Sequence, residues 1–430
     1  RAERVPAPGA PVAPPSLLRQ TDFQALWLAG LISDAGDWML LIALPLVIYT
    51  QTGSTLGTSA AFLAELAPGI LLAPLAGRLA DRVDRRSLML GLTLLQALAL
   101  APLLLVHGHS GLGLVYAVIV VQASANALFD PAKNALLPSL VGVEHLVSAN
   151  ALVGLGAAAG RLAGGPLGGL LLAAGDLRMI VVADAATFLL ATVLLARVRP
   201  RRHRAAPPGI AAGPSGLAPA PSIRRGLLAV LHDGRVRACL LVAFCAQIAQ
   251  GIFVVLFIVF VGRRLGGGPG EIGLLRGVQA IGAIAAGLLL ATSRRRPGPA
   301  GLVAAAGGAF GIISLVAWNA PLVSTGQVLY VALFVLVGAP GVAFETGLLS
   351  VLGTASAPGE RGRVMSAAAL AESSGQAIGM IAAGVLTGPL GLAVTLDLQG
   401  ALYLAAGGLA VALLAAPTRR LRPRLTETSA

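Results

Sequence analysis

The sequence predicts an all-α membrane protein with twelve transmembrane helices in two six-helix bundles. Three observations carry that expectation. The 430 residues are 56% hydrophobic and only 11% charged, with a mean hydropathy of +0.85. A soluble domain is nearer one quarter charged, and few soluble folds could hide this much apolar surface. The apolar residues also fall into stretches of roughly 20, the length that crosses a hydrocarbon core about 30 Å thick. Finally, the basic residues recur between those stretches, as loop charges do in membrane proteins. The net charge of +13 therefore reads as topology, and no nucleic-acid partner is expected.

Along the chain, residues 1–18 contain Pro6, Pro8, Pro11, Pro14 and Pro15. They lack the apolar run of a signal peptide, which predicts a disordered arm. Six spans are expected at about 22–50, 56–79, 87–107, 111–132, 147–173 and 178–197, forming an N-terminal bundle over 19–197. Residues 198–237 are rich in Pro, Arg and Gly and read as a cytoplasmic linker, ending in "GLLAVLHD", a candidate short surface helix. Six further spans are expected at about 238–261, 271–292, 300–318, 326–350, 364–388 and 392–416, in a bundle over 238–416 followed by a cytoplasmic tail, 417–430.

The basic residues test this count. All but five of the 31 fall on the side of the termini. Arg178, Arg263 and Arg264 fall on the other side, and Arg161 and Arg276 inside spans. The positive-inside rule then places both termini in the cytoplasm. The halves also repeat: "SANAL" at 148–152 recurs loosely as "SAAAL" at 366–370. The 55 glycines suit close helix packing in lipid. Cys239 and Cys245 share one apolar segment and read as small buried residues, with no metal site. No phosphate-binding loop or Ser/His/Asp constellation is present, so neither a primary pump nor an enzyme is expected. His107 and His109 read as loop residues.

Charges inside spans are rare and face a protein interior or a watery cavity. At 1.5 Å per residue, Asp34 lies roughly 18 Å, and Asp37 about 22 Å, from the start of the first span. Glu65 lies about 13 Å into the second, Arg161 about 20 Å into the fifth, and Glu372 about 12 Å into the eleventh. Asp130, Asp184, Arg276 and Glu345 are placed nearer the interfaces. Asp34, Asp37, Glu65, Arg161 and Glu372 are thus the candidates for substrate contact or proton coupling at the midplane, where transporters bind. A carboxylate taken out of water holds a proton more readily. Arg161 is either a substrate contact or a structural partner for an aspartate. An acidic midplane favours cationic or zwitterionic ligands, and with aromatics at 4% no rich stacking site is evident.

Local motifs sharpen the reading. "GRLADRVDRRSLM", 77–89, resembles the cytoplasmic-loop motif of the major facilitator superfamily, with Gly77, Asp81, Arg82, Arg85 and Arg86 matching and Asp84 replacing the usual second glycine. "FDPAKNALLPSLVGVEHLVSANALVGL", 129–155, resembles the enterobactin-exporter-like branch, which includes siderophore and macrolide exporters, through Pro131, Ala132, Ala135, Pro138, Leu146, Ala149 and Asn150. Trp27, Gly36, Asp37 and Pro45 in the first span fit the same branch, as does "PGERGRVMS" at 358–366. Span 5 resembles the export-associated motif through Arg161, Gly164, Gly168 and Gly169, with Pro166 one place late behind Gly165. A mid-span proline there is expected to bend the helix. The arginine that many proton-coupled relatives carry in span 4 is absent.

The resemblance implies a bacterial inner-membrane secondary transporter with no cofactor beyond the proton gradient. It would export a small amphipathic molecule, siderophore-like or drug-like, across the lipid bilayer as a monomer. An uncoupled facilitator or lysolipid translocator, or a non-transporting scaffold, are the rival readings. The resemblance further implies a cytoplasmic gate in which Asp81 meets the start of span 11, near Val364–Ser366, and Arg85 pairs with Asp130.

Overall fold

The computed structural model describes residues 14–106, 111–174, 177–199, 233–293, 298–356 and 360–414. Among these the chain is all helix. The first six helices are α1 Thr21–Thr52, α2 Thr55–Arg82, α3 Arg85–Ala99, α4 Leu112–Val141, α5 Leu146–Ala174 and α6 Leu177–Arg197. The second six are α7 Gly234–Phe260, α8 Pro269–Thr292, α9 Pro299–Asn319, α10 Gln327–Ala355, α11 Arg361–Leu390 and α12 Leu392–Leu414. Eleven are long and apolar enough to span a membrane, and α2 makes a twelfth if its two pieces, bent by 50° between Leu71 and Ala73, count as one. Pro68 and Pro74 lie either side of that break and remove the donors that would hold it straight. Leu98, Leu170, Val182, Ile312 and Val411, all exposed, form part of an apolar outer surface that suits lipid.

Local chemistry sets the ends. Ser54 caps α2 by accepting from Gly57 N–H at 3.0 Å, and Asp233 caps α7 through Arg235 and Val236. Gly53 closes α1 at φ 63°, a backbone region that costs other residues more. Two expectations need correction, and the third span is built in two parts. Residues 14–18 of the supposed disordered arm belong to a 3-10 turn, Pro14–Arg19, because Leu17 finds a buried seat beside Phe23 and Met89. The third span ends in α-helix at Ala99 and continues as the 3-10 turn Ala101–Leu105, since Pro102 cannot donate within an α-helix. The sharp bend lies in α2, whereas α5 runs unbroken through Pro166. The "GLLAVLHD" helix, bar Asp233, lies outside the described residues, as do His107 and His109.

The two halves repeat one packing scheme. In the first, α1 packs on α5 and α6, α4 on α2 and α3, and α3 on α6; in the second, α7 packs on α11 and α12, α10 on α8 and α9, and α9 on α12. Small residues make these contacts close. Gly156, Gly160, Gly164 and Gly168 of α5 lie against Trp27, Asp34, Trp38 and Met39 of α1, a four-residue ladder.

Between halves, α5 meets α8 and α2 meets α11. Both contacts lie at one end of the molecule. Gly165 and Gly169 pack on the α8 backbone at Pro269 and Gly273, and Gly384 of α11 packs on Leu56 and Ser59 of α2. At that end a single apolar cluster crosses the halves, joining Leu46, Tyr49 and Phe62 to Phe253, Phe257, Phe260, Trp318, Tyr330 and Phe334. At the other end the clusters are separate, one per half. Gly154, eleven residues before Gly165 and so nearly on the same helix face, has nothing within 4 Å of its Cβ position. The halves are therefore closed at the face where α1 ends and splayed at the face bearing Arg78–Arg86, called here the arginine-rich face.

Candidate functional site

The site begins on α1. Asp34 and Trp38, one turn apart, face α5: the Cβ positions of Gly160 and Gly164 lie 2.9 Å from Asp34 Cβ and 2.8 Å from Trp38 Cβ. Asp37 points elsewhere, toward α4, where Asn126 Nδ2 donates to its Oδ1 at 3.4 Å. The two aspartates, though three residues apart, thus serve different neighbours.

An amide chain orients Asn126. Gln122 Nε2 donates to the Gln96 carbonyl at 3.0 Å, and Gln96 Nε2 donates to Asn126 Oδ1 at 2.8 Å. The Asn126 NH2 is left to face Asp37. A cavity of about 280 Å³ opens here between α1, α2 and α4, lined by Asp37, Glu65, Gln122, Asn126 and Asp130 among aliphatic neighbours. Glu65 is exposed to it. Behind α1, Asp184 of α6 is wholly buried and fills the space that the missing side chain of Gly36 leaves. Thr187 Oγ1 donates to Asp184 Oδ1 at 3.0 Å, and Asp184 Oδ2 has no partner. Sequence placed Asp184 nearer an interface. Its neighbour Gly36 was the signal that a polar group could reach the α1 backbone.

Nearer the arginine-rich face, Lys133 Nζ holds Asp130 Oδ1 at 2.7 Å and lies over the Phe129 ring at 5.7 Å. Lys133, Asp130 and Arg161 are the charges that act on Asp34. The implied Arg85–Asp130 pair is therefore not formed in this structure. Arg85 donates instead to the Ala80 and Ala135 carbonyls at 3.4 and 2.8 Å, and Arg86 to those of Leu195 and Ala196. Both arginines tie the start of α3 to carbonyls of α2, α4 and α6, Ala80, Leu195 and Ala196 lying in last turns, where helix dipoles favour cations. Gly77 and the exposed Arg82 lie at the end of α2. The Asp81 side chain lies outside the described residues.

The second half contributes a different surface. Arg276 of α8, which sequence placed near an interface, lies beneath the aromatic cluster, over Phe253 and Phe257 and facing Trp38 across the halves. Tyr403 donates to Gln250 Oε1 at 2.8 Å and stacks on Phe310 with centroids 4.0 Å apart. Exposed Glu345 of α10 and half-buried Glu372 of α11 are the two acids of the second half's interior side. Gly164, Gly165, Pro166, Gly168 and Gly169 are split between two tasks: 164 and 168 pack on α1, while 165, 166 and 169 pack on Gly273, Gly277 and Pro269 of α8. Among the described residues no group of three metal-ligating side chains converges.

This arrangement has relatives. The chain is 27% identical over 409 residues to the MFS-type transporter YfiS of Bacillus subtilis (strain 168), covering 91% of this chain and 93% of that one. Over 126 residues it is 31% identical to macrolide efflux protein A of Streptococcus pyogenes, 29% of this chain and 31% of that protein. Among solved structures, a bacterial homologue of the iron transporter ferroportin in its inward-facing state superposes with a TM-score of 0.70 at 20% identity, covering 92% of this chain and 99% of that one. The outward-facing state of such a homologue gives 0.60 at 19% identity, covering 91% and 99%. The family model described as Major Facilitator Superfamily matches residues 26–380; with twelve α-helices among the described residues, in two repeated bundles around a polar centre, the chain is a multi-pass membrane transporter belonging to that superfamily.

Proposed function

We propose that the chain is a proton-coupled exporter of a small amphipathic compound in the bacterial inner membrane, with the arginine-rich face and both termini in the cytoplasm. On this reading the splayed end is the cytoplasmic entrance. The better superposition on an inward-facing relative and the positive-inside bias support that orientation. The efflux relative supports the direction of transport.

The observation that carries the coupling is the cavity in which Asp37 and Glu65 face shared space, with Asn126 held toward Asp37 and no cation within 4 Å of either carboxylate among the described residues. A carboxylate in such a place is reached by protons from one side and, after the halves rock, from the other. Asp184, buried against Gly36 on the far side of α1, adds a further acid to the same half.

The test is the purified protein in liposomes containing a pH-sensitive dye. Substrate-driven proton movement is expected in wild type and lost in Asp37→Asn, which keeps shape and removes the titratable group. Asp34→Asn and Glu65→Gln form the comparison set. Unchanged dependence on ΔpH in all three variants would sink the assignment of coupling to these acids, and absence of substrate-driven proton movement in wild type would leave an uncoupled facilitator.

A further inference from the structure

Two guanidinium groups, one from each half, meet on one indole. The Arg161 guanidinium carbon lies 4.6 Å from the Trp38 ring centroid, and that of Arg276 lies 5.8 Å from the same ring. Arg276 also sits 5.2 Å from the Phe253 centroid and 6.0 Å from that of Phe257.

Their donors are nearly all unused. A guanidinium carries five N–H groups in a planar fork. Arg276 places one on Gln279 Oε1 at 3.3 Å. Arg161 makes no hydrogen bond or ion pair among the described residues, and no carboxylate lies within 4 Å of either group. Arg161 is exposed to the central space, while Arg276 is mostly covered. Glu345, Asp34 and Glu65 act on them only from a distance. Two like charges on one indole, Arg276 largely covered and neither with a counter-ion within 4 Å, oppose the closed contact of α5 with α8 that brings them together. An oxyanion between them answers both features, because the fork geometry of arginine matches carboxylate, sulfonate and phosphate.

We infer that the space between Arg161 and Arg276, at the seam of the two halves, takes the acid group of an amphipathic anion, with its apolar body against Trp38. The inference deepens the exporter reading and rests on it for direction. With the splayed face open, both arginines are at hand and affinity is high. When α5 parts from α8, the pair is divided between the halves and affinity falls, which releases the anion at the opposite face. A ligand shifts such an equilibrium by its differential affinity for the two states. The acidic midplane alone pointed to cations; the arginine pair reverses that expectation for the substrate and leaves the carboxylates to the proton.

The experiment is calorimetric titration of the purified full chain in detergent, against empty micelles, with 1-naphthoate, its neutral isostere 1-naphthamide and the cation 1-naphthylmethylammonium. An anionic lysophospholipid is the fourth probe and separates a lipid source of the acid group from a small aromatic one. Wild type is expected to bind an acid, naphthoate or lysolipid, at least tenfold more tightly than the amide or the amine. Arg161→Gln and Arg276→Gln are each expected to weaken the acid at least tenfold and leave the amide unchanged. Arg276→Lys, which keeps the charge and loses the fork, should fall between and guards against a glutamine variant that fails to fold. Equal binding of acid and amide, preference for the amine, no acid binding by wild type, or arginine variants that bind as wild type would each overturn the site. The two arginines would then be only a latch on Trp38. The titration needs no proton gradient, and the coupling test needs no arginine variant, so either reading can fail alone.

Discussion

The two halves of the molecule share a helix packing scheme but not an interior. In the first, the space between α1, α2 and α4 holds Asp37, Glu65 and Asp130 with Gln122 and Asn126, with Gln96 of α3 bonded to that amide pair and Asp184 of α6 buried behind α1. In the second, the matching space around α7 and α12 holds two neutral hydrogen bonds, Tyr403 to Gln250 and Trp318 to Gln399, with Phe253, Phe257, Phe260 and Phe334 nearby. Acids that ionise suit a half that changes protonation; rings that pack suit a half that seals the closed face. The duplicated scaffold lets one half titrate while the other holds shape, and substitutions that respect or violate this division test it.

The largest effect is expected from the acids themselves. Asp37→Asn should reduce ΔpH-driven flux more than tenfold, while Glu372→Gln in the second half should change it less than about threefold, at least about 0.7 kcal/mol separating the two outcomes. Flux assays in the same liposomes compare them directly. If Glu372→Gln is as damaging as Asp37→Asn, protonation is shared between halves and the division fails.

Next comes the seam. A side chain at Gly169 would strike the Pro269 carbonyl and the Gly273 Cα, backbone that cannot step aside, whereas one at Gly384 would meet the Ser59 and Leu56 side chains, which can. Gly169→Leu should therefore open the closed face. A cysteine replacing buried Phe62, with Cys239 and Cys245 removed, should gain at least tenfold reactivity toward an impermeant maleimide. Gly384→Leu should give a smaller gain. Equal reactivity in both would mean that the two seams yield alike.

Packing inside each half is the third comparison. A Cβ at Gly36 would overlap Asp184 and Thr187, while one at Gly30 meets nothing. Gly36→Ala is expected to destabilise the first half by on the order of 1–3 kcal/mol, and Gly30→Ala to be neutral or to stabilise by ~0.5–1 kcal/mol. In the second half, Tyr403→Phe removes one hydrogen bond and should cost about 1 kcal/mol. Thermal unfolding of the purified variants ranks them, and a tolerated Gly36→Ala would show that Asp184 is not held where it lies.

These contrasts were unevenly legible in the sequence. Span count and repeat follow from apolar run length and arginine alternation, which are one-dimensional signals. Asp34, Asp37 and Arg161 were found as midplane charges because depth along a helix is also read from position. Direction around the helix is not, and so the divergence of Asp34 toward α5 and Asp37 toward α4 was missed. Arg276 was misjudged for a related reason: five or six residues from a span end looks shallow until the aromatic cluster of the closed face covers it. That cluster in turn was invisible in a composition of 4% aromatics, since only folding gathers Phe253, Phe260, Trp318 and Phe334 from three helices. Gln96, Gln122 and Asn126 were readable as amides within apolar runs, yet nothing local paired them.

The smallest expected effect lies at the start of α3 and its counterpart α9. Asp84 caps α3: its Oδ1 accepts from the Ser87 hydroxyl at 2.7 Å and from the Ser87 N–H at 2.8 Å. These two bonds, helped by the nearby charges of Arg86 and Arg85, hold its carboxyl below the ordinary aspartate value of 3.8. At the equivalent place in the second half Gly298 precedes Pro299 and offers no side-chain cap. A carboxylate held low stabilises the folded state at every pH above its unfolded value and loses that contribution as pH falls through the folded one. Asp84→Ala should thus cost about 1 kcal/mol at neutral pH. The deficit should vanish on the acid side of 3.8, where wild type also loses the charged cap. Because the group is exposed, salt should change this little-screened hydrogen-bonded part less than any pairing with the arginines. Gly298→Asp should do the reverse for α9, gaining a few tenths of a kcal/mol that disappear at the same acid pH. Urea unfolding across pH reads both, and a pH-independent deficit for Asp84→Ala would mean that its role is shape at the turn and not the charged cap.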